Sequence, residues 1–63
     1  MNARVTYTQE WLGKILKDTY YKTIDGENIG VEAFNIREAL FLDPCVRRVK
    51  IEVEIEKGKW MEF

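Results

Sequence analysis

From Val49 to Glu56 apolar and charged side chains alternate without a break, with Val49, Ile51, Val53 and Ile55 set against Lys50, Glu52, Glu54 and Glu56. Successive side chains of an extended chain point to opposite faces, so this alternation is that of a strand with one face in a core and the other in water. Such a strand needs neighbours with the same two-faced pattern, which commits the chain to an antiparallel sheet covered on one side only.

The first neighbour follows directly. Lys59 to Phe63 returns through Lys57-Gly58, and the loop length decides what is covered. A two-residue loop would place Met61 and Phe63 on the carboxylate face. A three-residue loop, Glu56-Lys57-Gly58 with Gly58 in the left-handed region, joins them to Val53 and Ile51 and turns Trp60 and Glu62 outward beside Glu52 and Glu54. The three-residue loop is expected, since it adds two apolar side chains, Met61 and Phe63, to the core face.

Upstream, Tyr20 to Ile24 and Glu27 to Phe34 are β-leaning runs separated by Asp25-Gly26, a dipeptide suited to the positive φ angles of a type I′ hairpin turn. Two helices complete the expectation. In Thr8 to Thr19, Trp11, Leu12, Ile15 and Leu16 fall on one helical stripe behind a Thr6/Gln9 capping box, although Gly13 costs about 1 kcal/mol inside it. In the second, Asn35 caps, Glu38 reaches back and Phe34 staples onto Ala39. It presents Ile36, Ala39, Leu40 and Leu42 to the core and stops near Asp43, before Pro44. The sequence therefore predicts an α+β fold of element order α-β-β-α-β-β, a four-stranded antiparallel sheet in the order 2-1-3-4 with two short helices on one face. Strand 4 would be an edge.

At 63 residues the chain is expected to form one domain, residues 1–63, and a domain this small buries only about 60% of the surface its unfolded chain exposes. A single Cys45 and no His leave neither an internal disulfide nor a zinc site to reinforce it. With 46% apolar and 33% charged residues, the composition suits a packed core under a solvated surface. No stretch approaches the roughly 20 apolar residues of a membrane span, and Met1 to Glu10 has no apolar signal-peptide core, so a cytoplasmic protein is expected.

Catalysis is not expected, and neither is a cofactor or metal. Cys45 has no His to activate it, Glu52, Glu54 and Glu56 lie on an open strand face where nothing raises a pKa, and Asp25-Gly26-Glu27-Asn28 lacks the spacing of a calcium loop. With a net charge of −1 there is no global field toward nucleic acid or membrane, so only local patches can bind. Arg47, Arg48 and Lys50 form the one basic cluster and support an alternative reading as a small nucleic-acid-associated regulator. Glu52, Glu54, Glu56 and Glu62 on the same face would repel phosphates. Those carboxylates are read as solubilising rather than as mimics of a phosphate row.

The leading reading is a non-catalytic protein-binding module. Trp60, Met61 and Phe63 crowd the last strand, and large apolar residues on an edge strand imply that it is pinned in the core or paired with another chain. Trp60, Glu62, Glu52 and Glu54 are the expected partner-binding residues, and a homodimeric structural or accessory subunit, paired through edge strand 59–63, is a further alternative. In size, charge and absence of catalytic groups the chain resembles the small inhibitor proteins that phages and other mobile elements direct at host proteins. That resemblance implies a viral or mobile-element inhibitor acting by binding, and it transfers no site.

Overall fold

The computed structural model describes residues 1–63 as two long strands β1 (Asn2–Trp11) and β2 (Lys14–Thr23), a helix α1 (Ile29–Phe41), and strands β3 (Val46–Glu56) and β4 (Lys59–Glu62). The four strands form one antiparallel sheet in the order β2-β1-β3-β4. A four-stranded antiparallel sheet in the order 2-1-3-4 matches the sequence expectation, but its first two strands are Asn2–Trp11 and Lys14–Thr23 in place of Tyr20 to Ile24 and Glu27 to Phe34, and there is one helix rather than two. The element order is β-β-α-β-β.

The segment expected to be the first helix, Thr8 to Thr19, is instead the end of β1, a tight turn and the start of β2, with Trp11 paired to Lys14. Leu12 and Gly13 hold φ angles of 51° and 77°, the two positive values a type I′ turn requires. The helical spacing of Trp11, Leu12, Ile15 and Leu16 has another cause: they flank this turn, and all four are exposed. The alternation of Ala3, Val5 and Tyr7 with Arg4, Thr6 and Thr8 is the period that governs.

Asp25-Gly26 does not form the expected hairpin. Neither residue has a positive φ, and Asp25 instead accepts from the backbone N–H of Glu27 at 2.9 Å and from the side chain of Asn28 at 2.8 Å, building a turn that feeds α1. Those two donors hold the Asp25 carboxyl below the usual carboxylate range. The helix thus begins at Ile29, and Asn28, not Asn35, occupies the N-cap position. Ile29, Ala33, Ile36 and Leu40 repeat at helical spacing and face the sheet, whereas Phe34, Asn35, Ala39 and Leu42 are exposed. We expect Asn35→Ala to leave the melting temperature unchanged or slightly raised, since Ala is the better helix former by about 0.5 kcal/mol at an exposed position. A clear drop in thermal unfolding of that variant would return the cap to Asn35.

Ala3, Val5, Ile51 and Val53 are fully covered, and with Ile24, Ala33 and Ile36 they form the core under α1. Register explains this: Ala3 pairs with Val53 and Val5 with Ile51, so the central strands β1 and β3 place their apolar sides together beneath the helix. Only 8 of 63 residues are buried. The surface of 4700 Å² exceeds the approximately 4250 Å² expected of a closed monomer of this mass. The Cα radius of gyration, 12.4 Å, likewise exceeds the approximately 10.6 Å of a compact chain of this length. The molecule is a slab of 39 × 22 × 14 Å, one helix thick, and no helix is long and apolar enough to cross a membrane.

Candidate functional site

Trp60 lies opposite Glu54 and Met61 opposite Val53, the register that the three-residue loop requires. The structure reaches it through the turn Lys57-Gly58, with Gly58 at φ 80°, and a bulge that leaves Ile55 without a partner between Glu54 and Glu56. Met61 and Phe63 nevertheless stay about half exposed, because α1 packs against β3 and does not cover β4. Phe63 is fixed from two sides: its N–H donates to Ile51 O at 2.8 Å, and its carbonyl accepts from Arg37 Nη2 at 2.7 Å.

On the uncovered side of the sheet Trp60 is engaged within the chain. The Arg4 guanidinium lies 4.4 Å from the centre of its ring, and the Tyr21 ring meets it edge-on at 6.1 Å. Beneath the indole, Arg4 Nε and Nη2 each donate to Glu52 at 3.0 Å in a bidentate pair. That hydrogen bonding holds the Glu52 carboxyl below the ordinary carboxylate range. Glu54 accepts from the backbone N–H of Gly58 at 3.0 Å and from Asn2 at 3.2 Å, which lowers its carboxyl too, and Glu56 lies 3.3 Å from Lys59. Of the expected partner-binding set, Trp60 and Glu52 are therefore linked through Arg4, Glu54 is held separately by Gly58 and Asn2, and Glu62 pairs with Glu52 across the strands without a salt bridge.

The basic cluster is divided. Arg47 occupies a bulge opposite Thr8 and Gln9, donates to the carbonyl of Pro44 and lies 3.5 Å from Glu10, so its charge is compensated locally. Arg48 and Lys50 stand on the uncovered sheet face at the end remote from Glu54, and of the two only Lys50 reaches a carboxylate, Glu52, at 3.9 Å. Cys45 is half-buried near the C-terminal end of α1, its N–H donating to Asp43 and its carbonyl accepting from Glu10 N–H.

The surface that sequence reasoning assigned to a core helix is the tip of the β1–β2 hairpin. Pairing of β1 with β3 ends at Gln9, so Trp11 to Lys14 extend beyond the paired part of the sheet. Trp11, Leu12, Ile15 and Leu16 are all exposed there, Leu12 at 85%. Leu12 also sits at φ 51°, a conformation that costs a non-glycine residue roughly 1 kcal/mol or more. Behind the tip, Trp11, Leu16, Gln9, Asp43 and Cys45 line a notch of about 260 Å³, floored by a hydrogen bond of 2.9 Å from Gln9 to Asp43. An apolar mouth with two polar groups in its wall can receive an apolar side chain and orient the backbone that carries it. The signal for the tip was Leu12-Gly13 placed between two alternating runs.

Comparison with protein-family models, with curated proteins and with solved structures finds no match to this chain. The reading of function rests on the surfaces themselves.

Proposed function

We propose that this chain is a non-catalytic protein-binding module whose principal contact is the projecting β1–β2 tip with the notch behind it. One observation carries the reading: the hairpin tip exposes Trp11 and Leu16 side by side on the face that carries α1, with Ile15 on the opposite face and Leu12 at the turn itself, where backbone strain holds a leucine in water. Solvent alone favours Asn or Gly there, and the exposed apolar surface that Trp11 and Leu16 share beside the notch is of the kind that marks an interaction site. Trp is also enriched among residues that dominate interface energies. Acting by contact alone, the chain would inhibit or redirect a partner by covering part of its surface. That accommodates the inhibitor reading without requiring a catalytic group.

The C-terminal edge keeps a supporting role in this proposal. β4 is short and open on its outer side, so it can extend a contact begun elsewhere. Trp60, which the sequence favoured as an anchor, serves chiefly to cover the Arg4–Glu52 pair.

The test is affinity capture on the immobilised chain from nuclease-treated extract of its source cells, comparing the wild type with Trp11→Ala/Leu16→Asp. Both side chains are exposed, so the variant should keep the melting temperature and lose the retained protein. Sedimentation of the purified chain, run alongside, shows whether the partner is a second copy. Retention of the same protein by both forms would remove the tip from the contact.

A further inference from the structure

On the sheet face away from α1, the register sets Lys17, Thr8 and Arg48 in one row across β2, β1 and β3, and Thr19, Thr6 and Lys50 in the next. Strands lie about 4.8 Å apart and alternate residues repeat about every 6.8 Å, so three cations and three hydroxyls share a block approximately 10 Å by 7 Å. Neither row contains a carboxylate. Lys17 and Arg48 make no ion pair, and the one carboxylate within reach of Lys50, Glu52, is already held by both nitrogens of Arg4. All of the block except Thr19 lines the largest hollow of the molecule, about 520 Å³, whose wall also takes in Phe41 and Glu62. Two positions beyond Thr19 on the same face of β2, the ring of Tyr21 is 66% exposed.

We propose that this face binds single-stranded nucleic acid, with backbone phosphates on Lys17, Arg48 and Lys50 and a base stacked on Tyr21. The objection that Glu52, Glu54, Glu56 and Glu62 would repel phosphates loses force here. Glu52, in the row next to Lys50, is held by Arg4, and Glu54 and Glu56 are engaged further along β3 by a backbone N–H and by Lys59. Glu10, beside Thr8 and Arg48, lies 3.5 Å from Arg47, leaving Glu62 at one margin of the hollow. Local charge, rather than the net value of −1, sets the field a bound strand meets. The three threonine hydroxyls supply donors between the cations, and Thr6 and Thr19 already approach each other at 3.2 Å. An open aromatic beside a short basic run is the combination that holds single strands without reading sequence, since every base has a face to stack. A duplex cannot present an unstacked base to Tyr21, and an acidic protein has none.

The experiment is fluorescence anisotropy of a short labelled oligonucleotide, single-stranded or duplex, titrated with the full chain over a range of salt, with unlabelled polyglutamate as competitor. Three phosphate contacts give a slope of log affinity against log salt of about −2, falling to about −0.7 in Lys17→Gln/Arg48→Gln, for which affinity at low salt drops at least tenfold. Tyr21→Ala should weaken single-strand binding about tenfold and leave duplex binding unchanged. All three substitutions are at exposed positions, and circular dichroism confirms that each variant is folded. The proposal is overturned if the wild type binds no oligonucleotide at low salt or if Lys17→Gln/Arg48→Gln keeps the affinity and the slope. Displacement by polyglutamate as effective as by unlabelled strand would assign the face to an acidic protein instead.

Discussion

Ile51→Ala is expected to leave most of the chain unfolded at 25 °C. Ile51 is fully covered, pairs with Val5 across the two central strands and lies beneath α1, so truncation opens a cavity at the middle of the only core. Such truncations cost about 2–5 kcal/mol, and a single core in a domain of this size supplies about 3–5 kcal/mol in all. The loss is therefore comparable to the whole stability. Ile55→Ala is the control: Ile55 lies in the β3 bulge, is half exposed, and should cost under about 1 kcal/mol. Urea unfolding followed by circular dichroism separates the two. Equal midpoints for both variants would mean that the face of β3 carrying Ile51 and Val53 is not the buried one.

Leu12→Asn is expected to move stability and binding in opposite directions. At φ 51° beside Gly13, the turn is one for which Asn-Gly is the preferred pair, and relief of about 1 kcal/mol of backbone cost should raise the melting temperature by roughly 4–8 °C in a domain this small. The same change removes the most exposed apolar side chain of the tip, so capture of the partner should weaken at least tenfold, the order of loss when a residue central to an interface is truncated. A lower melting temperature would show that leucine is not strained at this turn. A higher one with capture intact would show that the strain serves something other than the contact.

The strand β3 was legible because its alternation is unbroken over Val49 to Glu56, and the register of β4 followed from asking which loop sets Met61 beside Val53. The N-terminal half was not, for two physical reasons. Trp11, Leu12, Ile15 and Leu16 satisfy a helical period only because a two-residue turn places apolar residues on both of its arms, and periodicity does not distinguish that from a stripe. Ile29, Val31 and Phe34 are β-leaning and Gly30 is a poor helix former. The segment reads as a strand residue by residue, although Ile29, Ala33, Ile36 and Leu40 carry the helical spacing that tertiary packing selects. The partner-binding set was only partly legible: sequence put Trp60 on the correct side of the sheet, but the Arg4 guanidinium that occupies its ring comes from a residue 56 positions away. No local pattern announces such a contact.

The pairing of Ala3 with Val53 and Val5 with Ile51 has a consequence for how the fold is acquired. The β1–β2 hairpin closes on a two-residue turn and can form within microseconds, because its strands are neighbours in sequence. The core cannot, since it joins segments some fifty residues apart and must first meet the entropy of closing that loop. During synthesis β1 therefore emerges early and waits, its inner edge unpaired and Val5 uncovered, until Ile51 and Val53 have followed. Throughout that interval the nascent chain offers a bare strand edge next to an apolar tip, a state open to chaperones and to premature association.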